Sequence, residues 1–428
     1  MVIPRVDVGR TLHRAWTGGK GKAVHLAALG RAAISRAMFT AIASPVSLTG
    51  VLALLITVVL ALGMARDGRT RAFYALLCVV HLLGALAFYF ITFSAPADAH
   101  RYYAESEWAR DFAIGTRFIN FLLGWIREFT DLTFLDASLV FQIPGLVGIL
   151  LIHRSAVRLA EDGFGTRVML LGLLLLLPGL HFWTSSVGKD SLAIFAYGLI
   201  AVALSRERIH IALMIAGLIL YFLIRPHIGF MLVTAMAIAF LPLFGRSPPR
   251  TQVVGAVAAA AFFILLPFVF LFIGIDGEGV EGVQKYIENR QNLAFRGGSD
   301  FDLTALNPLE RLVTVLFRPL FLDARGTFGL AISFENLALV AIFAYLAWNL
   351  RVILRLVRVS AAMRFHVFFA LIFIAAVSQT TGNLGLALRY KMMMVPALIL
   401  LLTAVIAYHN RRREDRRAAL RAEVLPAA

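Results

Sequence analysis

Five separated stretches of the chain carry the side chains that could do chemistry, and each borders an apolar run. The first, SAPADAHRYYAESEWARDF at 94–112, places Asp98 a few residues past the end of such a run, with Tyr102 and Glu105 behind it. A carboxylate held at a membrane surface is partly desolvated, which suits it to act as a general base. The second, HFWTSSVGKDS at 181–191, follows Pro178-Gly179 and gathers two hydroxyls, a glycine, Lys189 and Asp190 in a tight turn. Donors in such a turn can converge on an anion. The third, LIRPHIGF at 223–230, leaves Arg225-Pro226-His227 little room to be a free loop, so Arg225 is expected to face a cavity within the membrane thickness. In the fourth, at 318–336, Arg318 re-enters the membrane boundary and Glu335 falls in the first turn of the next span. A carboxylate at that depth needs an arginine partner or a wet cavity. The fifth, QTTGNLGLALRYKMMMVPA at 379–397, sets Arg389 and Lys391 on either side of Tyr390, two cations suited to a phosphate at headgroup level.

Each stretch also has a plainer reading, as a solvated loop with an aromatic anchor or as a long cation reaching for headgroups. What favours a site is that all five fall on the same membrane face. Apolar spans are expected near 46–64, 72–93, 135–153, 168–182, 190–204, 209–224, 227–244, 252–274, 331–350, 365–380 and 392–408, about eleven in all. The intervening segments sort by charge. RDGRTR at 66–71, 153–167, RER at 206–208, GRSPPR at 245–250, 351–364 and the tail from residue 409 are short and arginine-rich. The positive-inside rule makes these cytoplasmic. The opposite set, 94–134, 183–189, 225–226, 275–330 and 381–391, contains both long loops, and every candidate above lies in it or within a few residues of it. Alternation then puts the amino terminus outside, although residues 1–45 hold seven Lys or Arg.

These spans imply an all-α, polytopic transmembrane bundle with short interfacial helices in the two largest outer loops, 94–134 and 275–330. Residues 1–45 read as a basic segment with an interfacial amphipathic helix at 23–43, residues 46–408 as one transmembrane domain, and 409–428 as a basic cytoplasmic tail. Hydrophobic residues make up 60% of the 428 and charged residues only 15%, well below the quarter typical of soluble domains. The net charge of +16 comes from arginines scattered over many short loops, which argues for anionic lipid rather than nucleic acid. The single cysteine, Cys78, excludes an intramolecular disulfide and a Cys-based zinc site. Asp276–Gly279 (DGEG) lacks the Asp-x-Asp order and closing Glu of a calcium loop, so no metal ligand is assigned and no cofactor is expected, a divalent metal being without support. The first strong apolar run begins near Val46, so no cleavable signal peptide is expected.

At these residues the chain resembles the bacterial GT-C-type and polysaccharide-polymerase membrane proteins. The likeness rests on Asp98–Tyr102 just after an early span, PGLHFWTSSVGKDSL at 178–192, the Arg-Pro steps at 225–226 and 318–319, and GNLGLALRYKMMMVP at 382–396. It extends over most of the chain from about residue 46. The resemblance implies a GT-C-like bundle in the bacterial cytoplasmic membrane that transfers a sugar or glycan from a polyprenyl-phosphate carrier to a glycan acceptor. It casts Asp98 as the carboxylate that orients or deprotonates the acceptor, and Lys189, Arg225, Arg318 and Arg389 as holders of the leaving phosphate. Asp190, His227, Glu335, Tyr390 and Lys391 are further candidates to bind substrate. The family's paired acidic motif is absent: Ala97 and Ala99 flank Asp98, and Glu105 is the nearest second carboxylate. Two other readings stay open, a transporter or flippase of lipid-linked glycans and a non-catalytic scaffold among envelope-assembly proteins. Against the transporter stand the lack of an internal repeat and the scarcity of ionisable residues in mid-span.

Overall fold

The computed structural model describes residues 46–94, 97–160, 172–206, 208–241, 249–275, 279–295, 303, 305–324 and 326–424. Among them all regular structure is helical, and no strand occurs. The expected interfacial helix at 23–43 and the DGEG segment, up to residue 278, lie outside the described residues. The helices are α1 (Leu48–Gly63), α2 (Gly68–Ser94), α3 (Asp98–Glu105), α4 (Thr116–Phe129) and α5 (Phe134–Ala160). A short 3-10 turn (Leu174–Leu176) leads to α6 (Pro178–Thr184), α7 (Lys189–Leu204), α8 (Ile211–Ile224), α9 (Pro226–Phe240) and α10 (Pro249–Ile273). The remainder are α11 (Gly279–Phe295), α12 (Pro308–Phe317), α13 (Gly326–Trp348), α14 (Leu350–Val359), α15 (Ala361–Thr380) and α16 (Leu384–Val424).

Among the described residues, six helices are long and apolar enough to cross a membrane: α2, α5, α10, α13, α15 and α16. A seventh crossing is reached if α6 and α7, which meet at 110°, count as one broken span. The chain is thus a helical, multi-pass membrane protein by the length and composition of its helices. The described helices differ from the expected eleven spans in two ways. Helices α1, α8 and α9 are apolar but only 14–16 residues long, shorter than the ~20 residues a full crossing takes. Of the run at 168–182, the described residues from 172 hold a 3-10 turn and the start of α6, which Pro178, lacking an N–H to extend a preceding helix, opens. The segments expected as loops at 351–364 and 409–428 also differ. They hold the amphipathic α14, the start of α15 and an unbroken extension of α16 to Val424.

The central helices approach closely through small residues. A Cβ on Gly148 of α5 would lie 2.6 Å from the backbone of Ile194 on α7, and one on Gly217 of α8 would lie 2.6 Å from the Ala196 carbonyl. In lipid, where apolar contact alone gives little preference for helix over tail, such close backbone approach supplies the attraction. The outward faces of α1 and α10 are exposed and apolar, with Leu48, Val59, Phe263 and Leu271 among them.

Hydrogen bonds between helix termini fix two opposite ends of the bundle. At one end, Arg364 Nε donates to the Ala239 carbonyl (2.6 Å), Arg355 Nη1 to the Tyr408 hydroxyl (2.9 Å), and His409 pairs with Asn349 (2.6 Å). This end holds the arginine-rich segments of α14 and α16. At the other, Asp136 closes a reciprocal cap with Thr133 on α5 and accepts from Ser47 N ahead of α1 (3.2 Å). Tyr103 of α3 donates to the Leu132 carbonyl, and Gly115 N ahead of α4 donates to the Leu223 carbonyl of α8 (both 2.7 Å). Gln291 of α11 reaches the Gln379 carbonyl at the end of α15 (2.5 Å). The candidate residues lie at this second end.

Candidate functional site

The corner between α6 and α7 is the element that builds the site. Non-helical backbone at membrane depth is tolerated only where protein covers it, and Ser185, Ser186, Val187 and Gly188 are all buried. The corner is held from behind by His181 of α6, whose Nδ1 lies 3.0 Å from Nδ1 of His81 on α2. It leaves Lys189 and Asp190 in the first turn of α7. Arg225 arrives from the turn between α8 and α9. The residue before a proline is driven out of the helical region, so Arg225 takes an extended backbone (φ −147°, ψ 76°) and ends α8 where Pro226 begins α9. Arg389 comes from the second turn of α16, and Asp98 opens α3.

These four segments meet around one buried carboxylate. Asp190 Oδ1 accepts from Arg225 Nη2 at 2.8 Å, and its Oδ2 accepts from Arg389 Nε at 2.6 Å. Arg389 Nη1 then reaches Asp98 Oδ2 at 3.2 Å. The side chains of Asp190 and Arg225 are each 6% exposed, Arg389 is 16% exposed and Asp98 45%. The chain of charge therefore runs from the protein interior to an open mouth. Aromatic rings frame it: Arg225 lies 5.3 Å from the Tyr390 ring and Arg389 5.7 Å from the Trp183 ring, within cation–π range. Tyr102, buried beside Asp98, has its phenol pushed up by burial and by the neighbouring carboxylate. Trp183, Tyr221, Ile194, Met392 and Met393 line a small pocket that Asp190 and Arg389 border. Two buried polar atoms here have no hydrogen-bond partner among the described residues, Arg225 Nε and Ser185 Oγ.

The remaining candidates divide between the rim and other places. Lys189 Nζ donates to Thr116 Oγ1 at 2.8 Å, tying α7 to α4 beside the cluster. Glu105 does not join it: its Oε2 accepts from Asn120 Nδ2 (2.6 Å), which makes it a tie between α3 and α4. Arg101, one helical turn from both, contacts Asp98 at 3.3 Å and Glu105 at 4.0 Å. Arg318 is not shown with the other arginines. Its guanidinium grips Asp323, five residues on, in a two-toothed contact of 2.7 and 2.6 Å that holds the Asp323 carboxyl below its ordinary range. Glu335, expected to meet an arginine or line a wet cavity, accepts the Gly179 backbone N–H at the start of α6.

Lys391 and Tyr390 differ from Arg389 for a geometric reason. Successive residues on a helix turn by about 100°, so three in a row cannot face one site. Lys391 points instead to Asn336 Oδ1 (2.6 Å) and the Arg318 carbonyl (3.3 Å), fully inside the protein. His227, two residues past Arg225, turns toward a second cavity that it shares with Tyr286, Arg290 and Tyr390.

Trp183, Thr116, Tyr221 and Asp136 were not foreseen as site or scaffold residues. Trp183 sits inside HFWTSSVGKDS, but its contact with Arg389 joins positions far apart in the chain. Thr116 carries no local signal, since its place depends on α4 folding back against α8. No family model, no curated protein and no solved structure matches the chain.

Proposed function

We propose that the chain is an integral membrane glycosyltransferase or polysaccharide polymerase, moving a sugar or glycan from a polyprenyl-phosphate-type carrier to a glycan acceptor. The membrane would be the bacterial cytoplasmic membrane and the face its outer one. The observation that carries this reading is a buried guanidinium pair, Arg225 and Arg389, with one carboxylate between them and a second, Asp98, at the mouth. Arg225 Nε is buried and unused among the described residues. A buried donor left unpaired costs on the order of 1–3 kcal/mol, and a phosphate oxygen would satisfy it.

In the proposed step an acceptor hydroxyl attacks the anomeric carbon of the lipid-linked sugar. The bond from that carbon to the phosphate oxygen breaks, and the lipid phosphate leaves with the electron pair. Asp98, the open end of the cluster, takes the hydroxyl proton. Arg225, Arg389 and Lys189 meet the charge that grows on the leaving oxygen, an effect that fixed donors supply without reorganisation. The test is transfer from a lipid-linked sugar donor by the full chain in lipid vesicles. Asp98→Asn is expected to lower turnover by about 10²–10⁴-fold, the range for loss of a general base, while the protein remains inserted. Near-normal turnover removes Asp98 from the mechanism.

One observation favours a second reading, a transporter of the same lipid-linked substrates. Broken helices such as α6–α7 recur where transporters bind at mid-membrane. Movement of donor between leaflets by the purified chain, with no covalent change, would select that reading.

A further inference from the structure

We infer that α14 and the residues flanking it form a binding surface for acidic phospholipid headgroups at the arginine-rich end of the bundle. This goes beyond the transferase reading and does not depend on it. Position comes first. The crossing α13 ends at Trp348 and the crossing α15 begins at Ala361, so α14 links the exit of one span to the entry of the next. Its ten residues make a rod about 15 Å long, at about 1.5 Å per residue. A rod with both ends at a membrane boundary has no slack to leave headgroup level. Trp348, directly before it, is 90% exposed, in the place that interfacial tryptophans take.

The faces of α14 sort as that position requires. Val352 and Val357 are buried against the protein. Arg351, Arg355 and Arg358 are exposed, and a turn of about 100° per residue puts them within an arc of about 60°. Leu350 and Leu354, 54% and 49% exposed, border that arc on one side. Leucines beside a stripe of arginines mark a helix lying in the interface, where the leucines enter the acyl boundary and the guanidiniums meet phosphates. Among the described residues no carboxylate pairs with any of the three arginines. Arg355 donates to the neutral Tyr408 hydroxyl at 2.9 Å, so all three keep their charge for an outside partner.

The bundle holds both ends of this helix with groups other than the stripe. Arg364, buried at the start of α15, donates through Nη1 to the Val357 and Arg358 carbonyls at 3.0 and 3.2 Å and closes the last turn of α14. At the first turn, Asn349 pairs with His409 of α16 at 2.6 Å. A surface fixed in advance loses little freedom when it binds. Three cations without carboxylate partners call for a negative partner. The place between two crossings, with an exposed tryptophan and leucines, makes that partner a bilayer.

The test uses the full chain in mixed vesicles of phosphatidylcholine and phosphatidylglycerol, with tryptophan-quenching bromines carried on one lipid or the other. Subtracting the signal of Trp348→Phe isolates the Trp348 emission. An anionic surface favours each nearby arginine about fivefold, the equivalent of about 1 kcal/mol. Brominated phosphatidylglycerol is therefore expected to quench Trp348 with a preference of about fivefold or more over brominated phosphatidylcholine. Arg351→Gln combined with Arg358→Gln should erase that preference. Arg351→Lys combined with Arg358→Lys should keep most of it, and salt at about 1 M should weaken it by screening. Equal quenching by the two lipids overturns the inference, as does a preference that the glutamine pair leaves unchanged. Absence of quenching by either lipid overturns it as well, because the face is then covered by protein, a second copy of the chain or another partner.

Discussion

Replacing Asp190 by Asn is the most demanding check on the cluster. The carboxylate sits between two guanidiniums, at 2.8 Å from Arg225 and 2.6 Å from Arg389, and its side chain and that of Arg225 are each 6% exposed. An amide keeps the shape but removes the charge, so two cations face each other with little water to screen them. At an effective dielectric of about 20, a unit-charge pair at 4 Å is worth about 4 kcal/mol. Breaking a buried pair by deleting one partner costs roughly 3–5 kcal/mol, and that is the loss expected for Asp190→Asn. Asp98→Asn serves as the internal comparison. It meets the same arginine, but at 45% exposure its contribution is below about 1 kcal/mol. Reversible unfolding in mixed detergent, followed by tryptophan fluorescence, measures both. Adding Arg225→Met to Asp190→Asn should recover part of the loss, because the uncompensated charge is then gone. If Asp190→Asn falls within about 0.5 kcal/mol of the native chain, or costs no more than Asp98→Asn, the buried-bridge argument is wrong.

Other consequences are more local. Gly148→Ala forces a methyl group into the Ile194 backbone, where the ideal Cβ already lies at 2.6 Å, and should cost about 1–3 kcal/mol by overpacking in the same unfolding measurement. Gly63→Ala, with open space around it, should change stability by less than about 0.5 kcal/mol. The Arg318–Asp323 contact lowers the folded-state pKa of Asp323, so its contribution is complete above the ordinary aspartate range and is lost as pH falls through the depressed value. At this part-exposed site it amounts to less than about 1 kcal/mol, and Asp323→Asn should flatten that acid limb of the stability curve. The Tyr102 phenol, raised by burial, should titrate above the usual tyrosine range in an alkaline absorbance scan, and the high-pH component should vanish in Tyr102→Phe.

Much of the scaffold was readable because apolar runs and arginine placement are local properties. Runs such as 72–93 and 252–274 became α2 and α10 with modest changes at their ends, since backbone groups in lipid have no partner except their own helix. The Arg225-Pro226 step was legible for the same reason: proline acts on its immediate neighbour. What was not legible was the partner each polar side chain takes, near or far along the chain. Arg318 pairs with Asp323, five residues on. Glu105 accepts from Asn120, which α4 brings to it. The run at 168–182 was hydrophobic enough for a span, but composition does not show that α6 and α7 meet at 110°.

By itself, the order of residues determined that this is a helical membrane protein, which turns break its helices, and which few side chains stand at the turns with charge to use. Only the tertiary structure decided which of those charges meet. Asp98, Asp190, Arg225 and Arg389 come together because helix phase, a buried corner and long-range packing choose partners across up to 291 positions, and hydrophobic periodicity records which face is apolar but not which neighbour it will touch.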